Sequence, residues 1–222
     1  MGEYFDWVNA DKREFISPHD FGLGNKIYES SQKDSPLIAA LHVLLCGRWK
    51  GDRIVWLGDT SPINADTNCG VLKSLYEQSE IVGYDGMASD MVYKYYKDIA
   101  GRFKDAEKDV REEIEIYINS RGDENPFRNT YGVDEANPYE GLFITAGRRC
   151  RYTVNHTKRV YYSLDETRVY GENGKELLHT DPLPMLMCYG RGIEGEWLGD
   201  IIGASDELPQ GYTLLERINI AR

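Results

Sequence analysis

The chain uses one short pattern twice, and a repeat of this kind decides architecture before any local assignment does. The run Tyr4 to Ser17 lies over Cys150 to Ser163, with Val8, Asn9, Lys12, Arg13 and Ser17 recurring as Val154, Asn155, Lys158, Arg159 and Ser163. At the same spacing Pro36-Leu37 returns as Pro182-Leu183. Further on, Gly47, Trp49, Gly51, Asp52 and Ile54 return as Gly195, Trp197, Gly199, Asp200 and Ile202, shifted as a two-residue insertion in the second copy would shift them. Three matches in one order predict an internal duplication, with one unit toward each end of the 222 residues.

Each copy opens on apolar and aromatic residues that flank a short polar segment, Asn9 to Lys12 or Asn155 to Lys158, the pattern of two strands joined by a tight reversal. Asparagine tolerates the left-handed backbone such turns need, so its recurrence has a structural reason. The stretch Trp49 to Asp59 reads as a Gly-Asp turn entering a β-branched, aromatic strand; its counterpart, Trp197 to Ala204, is less regular. Between hairpin and tryptophan, Lys26 to Gln32 and Pro36 to Cys46 read as short helices, with Pro36 in a first turn that tolerates it. Pro182 and Pro184 predict an extended segment in the second copy.

The middle of the chain reads as helical. A helix around Val71 to Gln78 precedes a longer one, in which Met91, Tyr95, Ile99, Phe103, Ala106, Val110, Ile114 and Tyr117 step along one stripe. Ser89 or Asp90 would cap its start and Gly122 would end it, with the charged run from Asp105 to Glu113 on its solvated face. Thr60 to Asn68 and Asp123 to Glu140 read as loops, and Gly171 to Gly174 as a turn between strands at Arg159 to Leu164 and Glu176 to His179. The expected fold is α+β: two related, mostly antiparallel β modules with a helical insert. The expected segments are a first α/β module (1–65), the insert (66–122), a loop or linker (123–140) and a second β-rich module (141–222).

Against 37 acidic residues stand 26 basic ones, a formal charge of -11. That balance disfavours direct nucleic-acid or anionic-membrane binding and favours a basic protein partner. The 16 tyrosines suit half-buried strand and interface positions, since each covers apolar surface while keeping a polar tip. Met1 to Asp11 carries three acidic residues and no signal-like apolar run, and Leu37 to Cys46 is far too short to span a bilayer, so a cytoplasmic location is expected. Cys46, Cys69, Cys150 and Cys188 form no C-x-x-C pair and have no histidine at a zinc spacing; reduced core thiols, no metal and no cofactor are expected.

The strings V-N-x-D-K-R-E-F-I-x-P, from Val8 to Pro18, and W-x-G-D-R-I-V-x-x-G-D, from Trp49 to Asp59, resemble the opening of a group of uncharacterised bacterial proteins. The resemblance covers about the first sixty residues closely and the second copy loosely. It implies a bacterial or phage origin and carries no activity.

Four constellations could bear chemistry. Gly22, Gly24 and Lys26, at the entrance to an expected helix, have the parts of an anion cradle without the spacing of a P-loop. His19, Asp52 and Asp59 would make a general-base or metal group if the fold gathered them. Cys46 and His42 sit four residues apart on a helix, but among leucines, where a thiol is inert. Trp49 and Trp197 read as core, whereas Trp56, unrepeated, is the surface candidate for a partner. The resulting expectation is a non-catalytic acidic binding protein, such as an immunity or anti-defence inhibitor of a basic partner. The alternative is a nucleotide or small-molecule binding protein, or a hydrolase, with its site between the modules.

Overall fold

The computed structural model describes residues 3–33, 35–62, 67–103 and 149–220. In chain order the first part holds β1 (Phe5–Asn9), β2 (Glu14–Ile16), α1 (Pro36–Cys46), β3 (Ile54–Gly58), α2 (Gly70–Val82), α3 (Ala88–Tyr95) and β4 (Lys97–Asp98). The second holds β5 (Tyr152–Asn155), β6 (Val160–Tyr162), β7 (Arg168–Tyr170), α4 (Leu183–Met187), β8 (Cys188–Gly190) and β9 (Ile193–Glu194), then β10 (Ile202–Ser205), β11 (Thr213–Leu214) and β12 (Arg217–Asn219). The fold is α+β.

The repeated residues occupy the same places in two four-stranded ribbons. β1 pairs antiparallel with β2 and β3, with Val8 opposite Phe15 and Val55, and Asn9 opposite Glu14 and Ile54. β5 pairs antiparallel with β6 and β10, with Val154 opposite Tyr161 and Gly203, and Asn155 opposite Val160 and Ile202. The register is the same at every repeated position. A fourth strand then joins each hairpin in parallel: β4 lies on β2 with Lys97 opposite Glu14, and β11 lies on β6 with Thr213 opposite Val160.

Why these residues recur is visible in the turns. The Oδ1 of Asn9 accepts the Lys12 N–H at 2.9 Å, and that of Asn155 accepts the Lys158 N–H at 2.8 Å, closing each reversal from within. Their Nδ2 atoms donate to Asp52 at 2.8 Å and Asp200 at 2.7 Å, and Lys12 and Lys158 pair with the same two carboxylates at 2.5 and 2.9 Å. Each hairpin is thereby pinned to the turn that follows its tryptophan. Arg13 and Arg159 take the left-handed φ values 54° and 55°, and Gly51 and Gly199 take 80° and 86°, so backbone geometry is repeated along with chemistry.

The two ribbons share one core. α1 starts at Ser35, whose hydroxyl caps the Ile38 N–H, and carries Pro36 where no donor is needed. Its Leu37, Leu41, Leu44 and Leu45 join Trp7, Trp49 and Trp56 from the first ribbon and Tyr162, Trp197 and Ile202 from the second in a single buried cluster. Trp49 and Trp197 are 0% and 2% exposed, and each N–H donates at 2.7 Å to the carbonyl of a preceding helix, Leu44 for one and Leu186 for the other. β8 extends the first sheet by pairing in parallel with β3, so the strand order β4-β2-β1-β3-β8-β9 mixes residues from both parts of the chain. Glu14, 2% exposed, has no acidic counterpart at Val160; it takes the Arg48 guanidinium and the Trp49 Nε1–H, and these bonds outweigh the burial that would raise its carboxyl, holding it below the usual range.

Several expectations need correcting. Lys26 to Gln32 makes one turn, closed by Ser30 N–H to the Lys26 carbonyl, and no helix. The segment with Pro182 and Pro184 is helical, not extended, because both prolines fall at a helix start and the Asp181 carboxylate caps the Leu183 N–H. The helix from Ala88 stops at Tyr95: Tyr96 turns extended, and Lys97 N–H bonds to the Arg13 carbonyl on the edge of β2. Its apolar residues consequently serve different surfaces, with Met91 and Ile99 buried in separate clusters and Tyr95 exposed. The expected helix beyond Phe103, its end at Gly122 and the loop from Asp123 to Glu140 lie outside the described residues. The turn at Gly171 to Gly174 is present, but it joins β7 to a single bridge at Glu176. Among the described residues no helix is long and apolar enough to cross a membrane.

Candidate functional site

The constellations read from the sequence do not assemble. Asp52 precedes β3 and Asp59 follows it, which sets them roughly 20 Å apart by the rise of an extended chain. Asp52 holds the turn clamp with Asn9 and Lys12, and Asp59 accepts the Tyr4 N–H at 3.1 Å. His19 is exposed on a 3-10 turn, Pro18–Phe21, which ends at Gly22 with φ 69°. The anion cradle is filled from within: the Glu29 carboxylate accepts the Lys26 N–H at 3.3 Å and presses against Gly24 where a Cβ would stand. A carboxylate there repels phosphate, and no helix follows to supply a dipole.

Trp56, read as a surface anchor, is 0% exposed; it stacks on Phe5 and leans on Trp7 at 4.9 Å between centroids, and has no face for a partner. The junction between the modules, where a ligand cleft was the alternative, is occupied by the shared core. Cys46 is exposed instead of buried, and both nitrogens of His42 are engaged elsewhere: Nδ1 accepts the Cys150 N–H at 3.0 Å and Nε2 meets Thr153 Oγ1 at 3.2 Å. The histidine therefore has no free nitrogen with which to deprotonate Cys46. Among the described residues no group of three or more His, Cys, Asp or Glu side chains is placed to hold a metal ion.

What the fold does gather is an aromatic corner between α2 and α3. Ile81, Val82, Met87, Tyr93 and Tyr95 supply five of the nine large apolar side chains that are exposed among the described residues. Glu80, Asp85 and Asp90 are exposed alongside them. The corner is set by Gly83, whose φ of 62° ends α2, and by the Tyr84 N–H, which returns to the Ser79 carbonyl at 2.9 Å. Tyr84 meets Tyr95 edge-on at 6.4 Å between centroids, and Lys94 Nζ lies 5.1 Å from the centre of the Tyr95 ring. The corner thus already holds one cation against an aromatic face.

Tyr93, two residues before Tyr95 and so on another side of α3, faces the first ribbon. Its ring meets Phe15 edge-on at 5.5 Å, and its hydroxyl donates to Oδ2 of Asp6. Asp6 is 5% exposed and its Oδ1 is buried without a partner. Burial raises the Asp6 carboxyl above its usual range; bonds from Tyr93 and Ser17 pull the other way, and the charges of Asp20 and Asp59 add to the rise. The folded state holds this proton more tightly than the unfolded chain, so stability falls as pH rises from the ordinary carboxylate range through the raised value. Replacing Asp6 by asparagine is expected to raise the melting temperature by a few degrees at neutral pH and to change it little at pH 3, which thermal denaturation at the two pH values will show.

A search of family models, curated proteins and solved structures returns no match. The site therefore rests on its own geometry. Sequence reading missed Asp6, Tyr84 and Tyr93 and placed Tyr95 on the apolar stripe of a long helix, because a tyrosine looks the same in the sequence whether it packs inward or outward. The one available signal was the tyrosine count.

Proposed function

We propose that this is a non-catalytic cytoplasmic protein that binds a basic partner protein through the α2–α3 corner, in the manner of an immunity or anti-defence inhibitor, and that its two ribbons descend from one duplicated module. The observation that carries the reading is the corner itself, where exposed tyrosines and aliphatic side chains are interleaved with Glu80, Asp85 and Asp90 on a chain of charge -11. Aromatic side chains bury much area with little loss of rotamer freedom, and carboxylates around them steer a cationic surface into place. The contact of Lys94 with the Tyr95 ring supports the reading that aromatic faces in this corner suit a cationic side chain.

The test is a photoreactive amino acid at Tyr95 in the full chain, with one at exposed Leu178 as control, in a lysate of the source organism. The expected result is capture of a basic protein from Tyr95 alone, weakened about tenfold or more by Asp85→Lys with Asp90→Lys, and by raised salt. Capture from both positions alike, or capture that is indifferent to the charge reversal, would overturn the reading.

A further inference from the structure

The last residue of α1 and a residue two positions ahead of β5 bring two sulfurs together across the boundary between the two halves of the chain: Cys46 Sγ and Cys150 Sγ are 3.1 Å apart. The approach is fixed from both sides. The Cys150 backbone is held by His42, one helical turn before Cys46, through the 3.0 Å bond from its N–H to Nδ1. The Cys46 thiol is positioned by the Ala204 carbonyl of β10 at 3.0 Å. Cys46 is exposed and Cys150 half-buried, so an oxidant in solution can reach the pair.

We propose that Cys46 and Cys150 form a reversible disulfide, with hydrogen peroxide as the oxidant. The Cys46 thiolate attacks one peroxide oxygen; an S–O bond forms, the O–O bond breaks, and the released hydroxide takes a proton to become water. Cys150 sulfur then attacks Cys46 sulfur, forming the S–S bond and expelling the second hydroxide, which leaves as water with the Cys150 proton. Two thiols and one peroxide become one disulfide and two waters; sulfur is oxidised and peroxide oxygen reduced.

The hydrogen bond from Cys150 favours the Cys46 thiolate over the opposing effect of burial and holds its thiol below the ordinary range, consistent with Cys46 as the attacking group. Cys188 makes the contrast: burial pushes its thiol up to about 12, which keeps it unreactive. The new bond would link residues 104 apart in sequence, tying the end of α1 to the entrance of β5.

The test uses the reduced full-length chain and a small excess of hydrogen peroxide. Titratable thiols are expected to fall from the four of the sequence to two, and non-reducing peptide mapping to find Cys46 joined to Cys150 within one chain, reversed by dithiothreitol. The linked protein is expected to melt on the order of 10 °C higher than the reduced one, because the closed loop is long. Cys150→Ser is expected to leave Cys46 as a sulfenic acid that a cyclic dione traps, and Cys46→Ser to remove both products. Four persistent thiols, a link from Cys46 to any other cysteine or to a second chain, or a linked form that melts below the reduced one would overturn the proposal.

Discussion

Between pH 6.5 and about 4 the protein is expected to lose about 3 kcal/mol of stability through His42 alone. This side chain is fully buried on α1, and burial lowers its pKa to about 4 against the opposing pull of the Asp181 charge, with the Arg149 charge lowering it further. The unfolded chain binds a proton at His42 below pH 6.5, whereas the folded chain does not until about pH 4; stability therefore rises with pH across that window and is fully present above it. Because Nδ1 accepts from Cys150, the neutral ring carries its proton on Nε2 and donates it to Thr153. Tyr162, next in the same buried interior, gives its hydroxyl proton to Asp181 Oδ1 at 2.5 Å. Protonating His42 would put a second donor where the Cys150 N–H already points. Urea denaturation of the wild type and of His42→Gln, run at half-unit steps from pH 4 to 8, isolates the effect. Their difference cancels the opposite slope from Asp6 and the acid-range loss from Asp11 and Glu14, whose carboxyls lie below their usual range. A variant profile parallel to that of the wild type would remove His42 as the cause.

Truncating either repeated tryptophan to alanine is expected to cost about 3–5 kcal/mol, and the two costs should be alike although the residues lie in different halves of the chain. Both indoles are buried in the same cluster, and both chains turn at the same point, with Asp52 N–H on the Trp49 carbonyl at 3.1 Å and Asp200 N–H on the Trp197 carbonyl at 2.9 Å. They differ at the indole nitrogen: Trp49 donates to Glu14 at 2.9 Å, while Trp197 packs against Tyr162 at 6.0 Å between centroids. Trp49→Ala thus also removes one donor from the buried Glu14 carboxylate, which keeps its Arg48 bonds, and Trp49→Phe should retain more of the cost than Trp197→Phe. Equal behaviour of the two phenylalanine variants would show that the Glu14 bond contributes nothing net. Chemical denaturation of the four variants reads all of this directly.

The repeated residues made the hairpins and the turns legible, because these depend on local chemistry: an asparagine that closes its own turn and a glycine at positive φ. α1 was equally legible, since Ser35, Pro36 and an apolar run to Cys46 contain both its cap and its length. The fourth strand of each ribbon was not. Lys97–Asp98 and Thr213–Leu214 share no residues and join their ribbons through backbone bonds such as Lys97 N–H to Arg13 and Thr213 N–H to Arg159. The side-chain pattern carries no trace of such pairing.

The misreadings at the candidate sites have the same origin. Trp56 reads as a surface residue because it is unrepeated, but β3 lies between β1 and β8 and is buried along its whole length. Asp52 looked free for chemistry until its partners, Asn9 and Lys12, came from forty or more residues away. Tyr84 and Tyr95, and the sulfurs of Cys46 and Cys150, meet only through tertiary structure, which no spacing in the chain encodes.

That two ribbons of equal register are welded into one cooperative core is the claim on which the rest stands. Native-state hydrogen exchange on Trp197→Ala tests it most directly, by following the amides of β1 and β3 alongside those of β5 and β10. The account predicts that the protection lost in the first ribbon matches that lost in the second, since both open with the shared core. Loss confined to β5 and β10, with β1 and β3 protected as in the wild type, would contradict it.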